Sequence, residues 1–189
     1  MIKEYYKKFL IFFTLVLFLV LLSVLLYFFS PEEIVDKIGI RNAYLLAFVV
    51  SFFGGFSALS SITFVATLIT LSIGGLNPIL LGLVSGTSLA IGDGIIFYIG
   101  SKGREIIIGK WERKLEKISK LIKRKVGKFI PFIAYIYIGL TPFPNDFMIV
   151  FLAMIKYPFK KLYAPIILGD LTFALLISIF ATKVILIFT

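Results

Sequence analysis

The sequence predicts an all-α integral membrane protein. It is expected to contain two inverted repeats, each a re-entrant helical hairpin plus a transmembrane helix, preceded by one N-terminal transmembrane helix. Three observations carry that expectation. The 189 residues are 60% hydrophobic, against about 45–50% for a soluble domain, and their mean hydropathy is +1.05. The apolar residues fall in long continuous blocks of the kind that enter or cross a bilayer. Two of those blocks, 44–73 and 129–155, are broken midway by small residues or prolines.

Charge and missing residue types narrow the function classes. Twenty Lys and Arg against ten Asp and Glu give a net charge of +10. In so apolar a chain this reads as cytoplasmic loops obeying the positive-inside rule, with no nucleic-acid partner implied. The absence of Cys and His removes disulfides, thiolate catalysis, imidazole bases and His or Cys zinc sites together. No phosphate-cradling glycine loop and no pair of carboxylates at metal-ligand spacing occurs, so neither an enzyme nor a cofactor nor a bound metal is expected.

Taken in order, Phe9 to Phe29 is apolar for long enough to span and follows the basic Lys3, Lys7 and Lys8, which places the N-terminus inside. It lacks the short apolar core and small-residue cleavage site of a signal peptide. Residues 1–43 thus form a first helix and an outer linker, and 44–183 the main membrane domain. Between Tyr44 and Ile73, Gly54, Gly55, Ser57, Ala58, Ser60 and Ser61 divide the block. Glycine weakens a helix by about 1 kcal/mol, while serines satisfy freed backbone groups. The segment is therefore either two half-helices of a hairpin or two short spans. Gly74, Gly75, Asn77 and Pro78 make a turn, with Pro78 suited to the first position of the next helix. That helix runs from about Ile79 to Ile99 with a small-residue face at Gly82 and Gly86, which also permits a homodimer.

Residues 101–128 form the main polar segment, basic and hence cytoplasmic. Trp111, Leu115, Ile118 and Leu121/Ile122 recur at helical spacing within it, so 104–125 is expected to lie on anionic lipid or to pack on the protein's own cytoplasmic face. Phe129 to Ile155 is broken by Thr141-Pro142-Phe143-Pro144-Asn145-Asp146. Two prolines so close cannot sit inside one uninterrupted helix. Lys156, Lys160 and Lys161 follow, and Leu162 to Ala181 makes the last span. Basic segments on both sides of 129–155 require an even number of crossings, and each half is too short to cross comfortably, so the block enters and returns. The two units then have opposite orientation, an arrangement shared by many secondary transporters.

Candidate site residues are those that cost most in a bilayer. Asp93, Asp146 and Asp170 are intramembrane carboxylates and so candidate transport or proton sites. Asp93 is expected to be stabilised by water-filled access or by a partner such as Lys102 or Arg104, and Asp146 either to cap the second half-helix or to take up a proton or meet a cationic headgroup. Ser60, Ser61, Thr141, Pro142, Pro144 and Asn145 mark the two breaks, and Lys156, Lys160 and Lys161 are candidate headgroup contacts.

Two segments resemble the DedA family, also called SNARE-associated Golgi or VTT-domain proteins. Gly74 to Gly103, with Gly92-Asp93, Tyr98 and Ile99-Gly100, is similar to that family's Gly-Asp and Tyr-x-Ile-Gly segment. Thr141-Pro142-Phe143-Pro144-Asn145-Asp146 is similar to the T-P-x-P-[DN]-D motif of its small microbial members. The resemblance covers about Tyr44 to Ile179. It implies two oppositely oriented re-entrant hairpins and movement of phospholipid or polyprenyl-phosphate lipid between leaflets. The chain departs from proton-dependent members of the family. Ser60-Ser61-Ile62 stands where an acidic residue is expected, and the second hairpin has no Arg pair, so phosphate recognition through that pair does not carry over. The expected function is a lipid transporter or scramblase of the cell membrane. The alternatives are a proton-coupled small-solute exporter and a scaffold using its basic surface helix.

Overall fold

The computed structural model describes residues 31–54, 58–106 and 110–188, and among these every regular element is helical. The expected first span, Phe9 to Phe29, lies outside the described residues. Eight helices follow in order: α1 (Pro31–Ile38), α2 (Ile40–Gly54), α3 (Ala58–Ile73), α4 (Pro78–Ile106), α5 (Lys110–Val126), α6 (Ile130–Leu140), α7 (Asn145–Met154) and α8 (Phe159–Phe188). Two stretches, Pro78–Arg104 of α4 and Phe159–Lys183 of α8, are long and apolar enough to cross a membrane.

Both interruptions fall where glycine, serine and proline put them. α2 ends at Gly54 and α3 begins at Ala58, while α6 ends at Leu140 and α7 begins after Pro144. The next helix start is equally local. Asn77 Oδ1 accepts from the backbone N–H of Ile79 and Leu80, both at 3.0 Å, which caps α4 with Pro78 at its first position. Gly75, at φ +86°, supplies the left-handed residue that ends α3. α4 continues two turns beyond the expected Ile99, and α8 begins before and ends after the expected Leu162 to Ala181. Pro165 sits inside α8 near its start, where the missing donor costs least.

Packing is reciprocal. α4 and α8 cross antiparallel at the centre, α2 packs on α4 and α3 on α8, while α6 packs on α8 and α7 on α4. Each pair of short helices thus lays its first member on the long helix that follows it and its second member on the other. The crossing is close because α4 presents glycine there. A Cβ on Gly86 would stand 2.7 Å from the Leu171 Cα, and one on Gly82 2.8 Å from that of Leu175. Only a residue without a side chain lets the backbones approach so far.

The ends of the bundle are closed by the connecting helices. α1 was expected only as a surface segment, but its Val35 is buried with Ala43, Ala47, Leu71, Leu76 and Leu81. At the other end, α5 places Ile118 and Ile122 against the core formed by α4, α6, α7 and α8. Ser119 Oγ donates to the Ile155 carbonyl at 2.6 Å and Lys123 Nζ to that of Lys156 at 2.8 Å. The Tyr157 hydroxyl donates to the Gly127 carbonyl at 2.8 Å. In α5, Ile118 and Ile122 cover the protein itself. Lys114, Lys117, Lys120 and Lys125 face outward.

Candidate functional site

The antiparallel crossing of α4 and α8 brings the two Gly-Asp dipeptides together. Asp93 and Asp170 are both 0% exposed, and they are bridged by one side-chain amide. Between them stands the Asn145 side chain. Its amide nitrogen donates to Asp93 Oδ2 at 3.3 Å and to Asp170 Oδ1 at 3.0 Å. Three elements distant in sequence therefore meet at one polar point. One oxygen of each carboxyl, Asp93 Oδ1 and Asp170 Oδ2, is buried with no hydrogen-bond partner.

Asn145 reaches that point because the chain breaks just before it. Thr141 Oγ1 donates back to the Tyr137 carbonyl at 2.6 Å, closing the last turn of α6. The Tyr137 hydroxyl donates across the break to the Pro144 carbonyl at 3.2 Å, with its ring stacked on Phe143 at 6.3 Å. Pro142 and Pro144 hold the intervening residues extended, so α7 restarts with Asn145 directed inward. Tyr137 has no signal in the sequence beyond its place one turn before the break.

Two expectations are corrected here. Asp93 does not pair with Lys102 or Arg104; its partner is Asn145, which it shares with Asp170. Arg104 lies three helical turns further along α4, about 16 Å away on the axis. Nor does Asp146 cap α7. The capping position is Pro144, with no side-chain bond to the helix. Asp146 sits in the first turn, only partly buried, with Oδ1 unpartnered, where its charge suits the positive end of the helix dipole.

The first break is built from hydroxyls. Ser61 Oγ donates to the Gly54 carbonyl at 3.0 Å, tying α3 to the end of α2. Ser60 is buried beside it in sequence, and further along Thr67 Oγ1 donates to the Thr63 carbonyl at 2.8 Å. These bonds are the bland role that hydroxyls in apolar helices take.

Two adjoining grooves run between the breaks. One, of about 530 Å³, is lined by Gly54 and Ser61 from the first break and by Pro142, Pro144 and Asn145 from the second. The other, of about 550 Å³, continues along α3 and α8 past Ile69, Ile73, Leu140, Phe173 and Phe180. Val65, Ile69, Pro142 and Phe173 border both. Among the described residues no Lys or Arg lines either groove. Lys156, Lys160 and Lys161 are exposed around the turn between α7 and α8, with Lys160 and Lys161 about 14–15 Å along the α8 axis from Asp170. The structure thus joins Asp93, Asn145 and Asp170, sets Ser61, Pro142, Pro144 and Asn145 along one groove with Thr141 on the other, and leaves the lysines apart at the bundle end.

No protein-family model, curated protein or solved structure matches the chain. The DedA resemblance rests on the two segments quoted above.

Proposed function

We propose that this chain is a multi-pass protein of the cell membrane that moves a lipid between leaflets along the cleft between two re-entrant hairpins, α2–α3 and α6–α7. The 101–128 segment is on the cytoplasmic side in this reading. The observation that supports it most is the continuity of the two grooves. A groove that includes Ser61 and Asn145 shares Val65, Ile69, Pro142 and Phe173 with a more apolar groove along α8. An amphiphile needs both environments at once, and volumes of this size suit a ligand of a few hundred Å³. The reciprocal packing of the helix pairs on α4 and α8 supports an inverted repeat, in which discontinuous helices meet at the substrate path.

The small-solute exporter shares this architecture but has no use for the apolar groove. The scaffold reading is weakened by α5, whose Ile118 and Ile122 are engaged internally. The test is leaflet exchange of fluorescent phospholipid and polyprenyl-phosphate analogues in proteoliposomes of the purified protein. Faster exchange of either lipid than in protein-free vesicles is expected, with loss in Asn145→Leu. Folded protein that moves neither lipid would overturn the proposal.

A further inference from the structure

The carboxyl pair at the centre of the bundle is only half satisfied. Asn145 supplies one N–H to Asp93 and one to Asp170, and each acid keeps a buried oxygen that accepts no hydrogen bond. Both side chains are 0% exposed, and neither meets a basic side chain among the described residues. Buried oxygens without a partner are uncommon in folded proteins, and each demands an explanation. Two of them, on neighbouring acids delivered by separate helices, describe a place where a positive charge is wanted and no side chain provides it. Whatever provides it must be small, because no surface reaches these atoms.

We propose that Asp93, Asn145 and Asp170 form a binding site for a sodium ion. The donors are all hard oxygens: two carboxylates and, when the side chain turns, the Asn145 carbonyl oxygen. Among the described residues no group of three His, Cys, Asp or Glu gathers to hold a transition metal, and oxygen ligands select against one in any case. Calcium takes six to eight oxygens and magnesium keeps several of its waters. Three short side chains in a sealed site offer neither. A monovalent ion makes the smaller demand, and broken helices near the middle of a bundle are where such ions are held.

Asn145 is suited to both conditions of the site. In the arrangement observed, its NH2 group bonds the two carboxyl groups. With the ion, half a turn about its terminal torsion, which has two broad wells, presents the carbonyl oxygen instead. Because Asn145 opens α7 and lines the groove, ion binding would fix the tip of the second helix pair to α4 and α8 together. The site does not depend on what the groove carries, so it stands or falls separately from lipid movement.

The test uses the full chain purified in detergent. Binding of radiolabelled sodium is measured, and thermal unfolding is compared in sodium chloride and choline chloride at equal ionic strength. Saturable binding and a higher unfolding temperature in sodium are expected. Asp93→Asn and Asp170→Asn should each weaken binding at least tenfold, while Asp36→Asn, at an exposed position of α1, should leave it unchanged. Absence of saturable sodium binding to the wild-type protein would overturn the proposal without reference to any variant's folding. So would sodium binding that survives the double Asp93→Asn, Asp170→Asn change, or stabilisation by calcium at a hundredfold lower concentration than sodium.

Discussion

The two pairs of short helices occupy equivalent places in the packing yet are built from different chemistry. In α2–α3 the break is closed by backbone and hydroxyl groups within the pair, as in the Ser61 bond to Gly54. In α6–α7 the break is braced by Tyr137 and the two prolines, and its polar residue Asn145 bonds outward to both long helices. At the first break Ser61 bonds within its own pair, whereas at the second Asn145 bonds two other helices. A pair that closes its own polar groups can tilt or slide at small cost, while one that bridges two other elements moves only by breaking those bonds. At its break α6–α7 is thus tied to both long helices, while α2–α3 is tied to α4 away from its break, where Ser88 Oγ donates to the Phe48 carbonyl at 2.6 Å.

The strongest way to break this comparison is Asn145→Leu. It strips both carboxyl groups of their donor, and at about 1–3 kcal/mol for each buried group left unsatisfied the expected loss of stability is about 2–5 kcal/mol. Unfolding of the purified protein in detergent measures it. Next comes Gly86→Val, which forces a side chain into the α4–α8 crossing that holds both pairs. About 1–3 kcal/mol of overpacking is expected, whereas Gly103→Ala, on the same helix with open space around it, should be neutral or stabilise by up to about 1 kcal/mol. Equal behaviour at the two glycines would remove the close crossing from the account. Smaller again is Ser61→Ala, which removes one local bond in the first pair and should cost about 0.5–1.5 kcal/mol. If it matched Asn145→Leu, the two breaks would be energetically alike and the proposed asymmetry would fail. Ser119→Ala should have the smallest effect, about 0.5–1 kcal/mol for one hydrogen bond at the bundle end. Hydrogen exchange at Ile155 to Tyr157 would show it as local opening of the turn that α5 holds.

Much of the architecture is legible in single residues. Gly54, Ser60 and Ser61 mark one break, Thr141 to Asn145 mark the other, and Asn77-Pro78 marks the start of α4, because each acts through backbone geometry within a few residues of itself. The small-residue face at Gly82 and Gly86 is equally plain, although the sequence does not say which helix fills it. The candidate site is legible only as a set of names. Asn145 and Asp146 are adjacent and both polar, and local logic favours the acid, yet successive helical residues point about 100° apart. Only the placement of α7 decides that the amide faces α4 and α8 while the acid remains half exposed.

The sequence by itself determined where the two apolar blocks break and where α4 starts, which residues are too polar to sit idle among apolar neighbours, and that no Cys or His chemistry is available. Those properties depend on the backbone's own donors and on the hydrophobicity of short windows, both of which are local. Tertiary structure alone decided the partners: Asp93 with Asn145 rather than with Lys102 or Arg104, the apolar face of α5 against the bundle, and the two breaks along one groove. These follow from an antiparallel crossing at Gly86, where two backbones approach to a distance that only glycine permits. Contacts between residues far apart in the chain are fixed by that packing, and no local pattern encodes them.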